Sequence, residues 1–335
     1  MTRTTRQWSA VAALAVAIVV LLAAVSWPEW LESLLISRKA FFSALLNGIT
    51  VAGLYFIVAA GFSLIFGLMR IVNMAHGTLY LLGAYIGYEV VSRSGSWMLG
   101  AAAAFFSIAA AGVLLQLVVF RRIEKDELRQ TLVSIGLTIL FADIMMAIWG
   151  GETYQIPVPD LLGGSARLPI VSAAGSTGTV VYLSYPIYRL FVLAAALVVG
   201  AGLYLMLTRS RIGLMVRAGV DDRGMLAAAG VNVDRVFVAI FGLGAGLAGF
   251  AGLIGGTALS VSPGEDIRYL LASLVVVIVG GMGSIGGAAI GAVLVGVTEQ
   301  VGLVYFPSYS AVCTFLIMVV TLMIRPEGIM GKARK

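Results

Sequence analysis

Long apolar runs, separated by short polar connections, fill almost the whole chain. Candidate spans fall at 8–27, 40–68, 71–92, 97–120, 131–149, 187–207, 236–259 and 307–324, with a broken apolar region at 269–304. The unbroken runs reach roughly the 20 residues a helix needs to cross a bilayer core. None of the eight prolines interrupts a span, and Pro307 only opens the last one. That agrees with helices whose backbone groups must be satisfied internally. Within 269–304, Leu270–Val279 is too short to cross alone and Gly280, Gly281 and Gly283 mark a break. The region is therefore either two short crossings or a re-entrant hairpin. The expected fold class is all-α: a polytopic transmembrane helical bundle of about eight to ten crossings, one domain over residues 1–335.

Two glycine patterns bear on packing. Gly246, Gly249, Gly252 and Gly255 recur every three residues, and Gly283, Gly287 and Gly291 every four. Each puts small residues on one helix face, where backbones can approach closely. The longest outer connection, 150–186, holds four prolines and one basic residue. It reads as an irregular extracytoplasmic loop.

Composition supports the class. Sixty per cent of residues are apolar and 11% charged, with a mean hydropathy of +1.03, so lipid is the solvent. Net charge is +6, but basic residues here report topology first. With the N-terminus inside, sixteen of the 22 Lys and Arg fall in inner segments, a clear positive-inside bias. Arg3 and Arg6 before the 8–27 run resemble a signal-peptide start. No small-x-small site precedes Pro28, so the run is kept as the N-terminal helix. Cys313 is the only cysteine, which rules out an intrachain disulfide. No clustered His and Cys suggests a metal, no G-x-S-x-G suggests a hydrolase, and GGMGSIGG lacks the ending of a P-loop. No cofactor, catalytic residue or nucleic-acid partner is expected.

Three places interrupt the apolar pattern. Arg70, Asn73, His76 and Gly77 stand between two spans with almost no room for a loop. Such a break frees backbone groups, tolerable only in a cavity or against protein, and discontinuous helices often meet polar solutes at mid-depth. His76, the only histidine, is either a solute contact or a structural residue. Asp143, within LFADIMMAIWG, is a possible buried acid, since an unpaired charge there is costly. Glu89 and Glu299 lie near span ends, where snorkelling to the interface accounts for both. The third place, 209–235, is a charged island with five arginines and three aspartates. Within it Asp221 or Asp222 can cap a short helix, Met225–Ala229 are good helix formers, and Gly230 fits the left-handed stop.

Leu46–Gly87, Arg209–Val236, Leu271–Glu299 and the ending RPEGIMG resemble the LivH-type permease subunits of branched-chain amino acid ABC importers. The block Asn73–Met74–Ala75–His76–Gly77 with Gly83–Ala84–Tyr85 is the most specific part. The resemblance implies a non-enzymatic, multi-pass subunit of a bacterial inner membrane, paired with a second permease. Two cytoplasmic ATPases would supply the energy, and an extracytoplasmic solute-binding protein would deliver the solute. It places Asn73, His76 and Gly77 near the solute route. It makes 209–235 the cytoplasmic coupling loop, with Arg217, Asp221, Asp222, Ala228 and Gly230 at the ATPase. Relatives also move urea, short amides and aromatic acids. An ion-coupled secondary transporter is the more distant alternative.

Overall fold

The computed structural model describes residues 38–69, 72–123, 126–171, 180–221 and 223–331; the expected helix 8–27 lies outside them. Eleven α-helices account for most of these residues. They are α1 (Arg38–Met69), α2 (His76–Ser94), α3 (Trp97–Val118), α4 (Glu127–Trp149), α5 (Ile187–Arg209), α6 (Arg211–Asp221), α7 (Arg223–Ala228), α8 (Val233–Ala258), α9 (Glu265–Gly280), α10 (Ile285–Tyr305) and α11 (Ser310–Ile324). Seven are long and apolar enough to cross a membrane. The exceptions among the expected spans are α2 and α9. Both lie largely inside the bundle, so neither needs a lipid-facing length or composition.

The centre is a crossing of α1 and α8, whose apolar windows are 83% and 78% buried, whereas α11 has no fully buried residue. Close approach at glycines makes the crossing possible. A Cβ on Gly244 would sit 2.7 Å from the Gly61 carbonyl oxygen, and one on Gly83 would collide with the backbone of Gly249. The expected glycine face of α8 packs on α2 and α3, at Tyr80, Phe105 and Ile108. That of 283–291 packs on Gly67 and on α9. Both are therefore used within the chain.

The second half of the bundle retraces the first. Each half has a long helix, a break (70–75, then 259–264), a buried helix, a tight turn and another full helix. Ser96 and Ser284 cap the two post-turn helices alike, accepting from Leu99 N and Gly287 N. The most extensive packing is reciprocal as well: α8 on α3 and α10 on α1. Five crossings separate the start of α1 from that of α8, so the halves run in opposite directions. This arrangement bears on the 269–304 region. The α9–α10 turn meets Gly67 near the end of α1, while Ile329 N and Met330 N donate to the carbonyls of Val279 and Gly280. The hairpin thus reaches the level of the final helix's end, as two crossings would require, although of the two helices only α10 is long and apolar enough to span by itself.

The outer connection is more regular than expected. Ser165–Val171 (β1) pairs antiparallel with Val180–Pro186 (β2), in register Ser165↔Pro186 to Val171↔Val180. Val180, Val181 and Tyr182 favour a strand, a signal masked by the surrounding prolines. Tyr185 anchors the hairpin, its hydroxyl donating to Leu46 O at 2.8 Å.

Candidate functional site

The two breaks organise the polar interior. His76 opens α2 beside Val58, about three turns back along α1 from Met69. The start of α9 arrives at the same place: a Cβ on Gly77 would collide with the Asp266 carbonyl. Two helix N-termini thus come together, a buried one at Ala75 and an exposed one at Gly264, and neither has a side-chain cap among the described residues. Each break is tied to a neighbouring segment. Met74 N donates to Ser134 Oγ of α4 at 3.1 Å. Tyr154 and Val261 exchange backbone hydrogen bonds, and Gln155 Nε2 caps the end of α8 through the Gly256 and Thr257 carbonyls.

Above the second break lies a cavity of about 350 Å³ among α1, α5, α8, α9 and α10. Its polar wall includes Asn47, Thr50, Arg189, Glu265, Arg268 and Gln300. Arg268 is shared between Glu265 (3.5 Å) and Glu299 (3.3 Å), and Glu299 also accepts from the Tyr55 hydroxyl at 2.6 Å. Arg189 donates to Asn47 Oδ1 and lies 5.7 Å over the Tyr185 ring. Aromatic rings form the floor. Tyr269 packs edge-on to Tyr55 at 5.9 Å and stacks on Tyr80 at 4.1 Å. One turn along α2 from Tyr80 is His76.

His76 and Asn73 are buried beneath this column and do not line the cavity. The His76 Nε2 is 3.0 Å from Val58 O, and its ring packs edge-on to Phe62. Its Nδ1 and the Nδ2 of Asn73 have no partner among the described residues. Asn73 Oδ1 accepts from Ala75 N.

Several expectations need correction. Asp143 is exposed on α4 and is not a buried acid, because α4 sits at the bundle's edge with only 11% of its apolar window covered. Glu299 does not snorkel; Tyr55 and Arg268 hold it inward, whereas Glu89 does pair with Arg93 near its helix end. Asp221 closes α6, a helix the sequence reading missed, and α7 begins at Arg223. The missed signal was Ser210, which accepts from Gly213 N as an N-cap. Asp222 lies outside the described residues. Gly230 adopts φ +80° and stops α7 as expected. Arg217 and Ala228 are exposed on this inner pair of helices.

The cavity residues Arg189, Glu265 and Arg268, with Glu299 paired to Arg268, were also missed as a group. Glu265 and Arg268 are one turn apart on α9, but nothing in the sequence links them to Arg189 of α5 or Glu299 of α10.

An apolar bundle around a polar cavity, with two interrupted helices meeting beneath it, is the build of a solute-conducting membrane protein. Comparison gives the family: the chain belongs to the permease component of branched-chain amino acid transport systems, whose model matches residues 44–322. It is 29% identical to the high-affinity branched-chain amino acid transport system permease BraD of Pseudomonas aeruginosa over 304 residues, 87% of this chain and 96% of the relative. The corresponding LivH of Escherichia coli strain K12 is 26% identical over the same shares. LivM of that strain is 26% identical over 333 residues, 95% of this chain and 75% of the relative. No solved structure matches.

Proposed function

We propose that this chain is one half of the translocation path of an ATP-driven, binding-protein-dependent importer of branched-chain amino acids in a bacterial inner membrane. The carrying observation is the succession of contacts between α1, α2 and α9, from the cavity through Tyr269 and Tyr80 to His76 at the Asn73–His76–Gly77 break. In this reading solute enters the cavity from the binding protein and passes Tyr269 and Tyr80 when α2 and α9 part. The unpartnered His76 Nδ1 and Asn73 Nδ2 then face the route. A second permease completes the wall, as the likeness to both LivH and LivM relatives suggests. Two ATPases seat on the α6–α7 region, with Arg217, Asp221, Asp222, Ala228 and Gly230 at the contact.

The test is uptake by the co-purified complex in proteoliposomes with its binding protein. Labelled leucine should accumulate only with ATP on the ATPase side. Urea, a short amide and an aromatic acid should compete poorly. Accumulation driven by an ion gradient without ATP would replace this reading with a secondary transporter.

A further inference from the structure

The outer cavity carries more charge than a passage needs. Arg189 has no ion pair among the described residues; its partners are the Asn47 side chain and the Tyr185 ring. Nearby, two carboxylates compete for one guanidinium. The contacts of Arg268 with Glu265 and Glu299, at 3.5 and 3.3 Å, are longer than the roughly 2.7–2.9 Å of a tight charge-assisted bond. The lining holds two cations and one anion, and Glu299, paired to Arg268 from outside the lining, balances the set, but the pairing is lopsided. One guanidinium lacks an acid and Glu265 is only loosely held. The rest of the wall includes Val51, Leu54 and Val192, and the volume of about 350 Å³ lies at the small end of ligand sites.

Resting on the transporter reading, we propose that this cavity is itself a binding site for one free zwitterionic α-amino acid. Its carboxylate sits on Arg189, its ammonium on Glu265, and an aliphatic side chain lies against Val51, Leu54 and Val192. A balanced set of charges selects a solute carrying both signs. A simple acid would leave Glu265 unmatched and a simple amine would leave Arg189 unmatched, each in a partly desolvated place.

The experiment is equilibrium binding of labelled L-leucine to the full chain with its co-purifying subunits in nanodiscs, without the solute-binding protein. Unlabelled leucine should displace the label. 4-Methylpentanoate and 3-methylbutylamine, which each keep one charged end, should not. Arg189→Gln should weaken binding about tenfold or more, the loss of one charge-assisted contact. Val51→Trp, which fills the space without removing a charge, should abolish it, and Arg93→Gln on the exposed end of α2 should change nothing. Displacement by the acid alone would make this a plain anion site and overturn the proposal. So would unchanged binding in both Arg189→Gln and Val51→Trp. The same preparation, given binding protein and ATP, separates the two levels. Leucine uptake without saturable binding overturns this inference and leaves the transporter standing. Binding without uptake of any amino acid keeps the site and removes the transport reading.

Discussion

Gly83 and Gly202 are both helical glycines, yet their surroundings are opposite. A methyl group on Gly83 would collide with the backbone of Gly249, while nothing lies within 4 Å of one on Gly202. Replacing a helical glycine by alanine gains up to about 1 kcal/mol of helix propensity. Forcing atoms into a packed core costs about 1–3 kcal/mol, with backbone the least able to yield. Gly83→Ala should therefore lower the thermal unfolding midpoint of the detergent-solubilised protein, and Gly202→Ala should leave it level or raise it. Equal responses would mean that α2 and α8 do not approach as closely as described. The glycine spacing behind this contrast was legible in the sequence, because small residues three or four apart must share a helix face. The pairing of Tyr55 with Glu299 was not, since those residues are brought together only by the packing of α1 on α10.

Local signals explain where the helices were foreseen and where they were not. Spans came from apolar runs, and Gly95, Gly230 and Gly281 stop helices with positive φ. α6 was missed because the residues it buries are few and small, while larger apolar ones such as Ile212 and Leu214 stay exposed. Gly213, Val216 and Gly219 form its buried face, which does not stand out beside the arginines. Such a helix is fixed by what it packs on, here the end of α5. The next helix, α7, turns Leu226 inward and leaves Met225 71% exposed, with Ala227 and Ala228 also open. An open face of small residues, a turn and a half long, suits insertion into a partner's groove. Ala228→Trp should therefore leave membrane insertion and helix content intact while weakening ATPase co-purification or uncoupling hydrolysis from uptake. Solute-stimulated hydrolysis in proteoliposomes measures this. If attachment and coupling both equal those of the unmodified complex, α7 is an ordinary inner loop, and the 3₁₀ turn Phe120–Ile123 with its exposed Arg121 and Arg122 becomes the next contact to test.

At the scale of the whole molecule, the two halves impose a choice that packing does not make. Because α1–α4 and α8–α11 run in opposite senses with matching breaks and turns, turning the bundle over exchanges one half for a likeness of the other. The apolar band fits a bilayer either way. Charge breaks the tie: by the sequence count sixteen of the 22 Lys and Arg belong to segments expected inside, and nine of these are described, all by the α3–α4 turn, the α6–α7 region or the end of α11. Translocating so many basic residues is disfavoured, so that side is expected to face the cytoplasm and the β1–β2 hairpin to face outward. Cys313 is the sole cysteine, and Cys313→Ala gives a background for labelling single sites. Leu161 is 94% exposed beside the hairpin, and Glu127 is exposed at the start of α4. In intact cells stripped of their outer barrier, Leu161→Cys should react with a membrane-impermeant maleimide and Glu127→Cys should not. Opening the membrane should make both react. The reverse order would invert the bundle, place the cavity of Arg189 and Arg268 on the cytoplasmic side, and turn the importer reading into one of export.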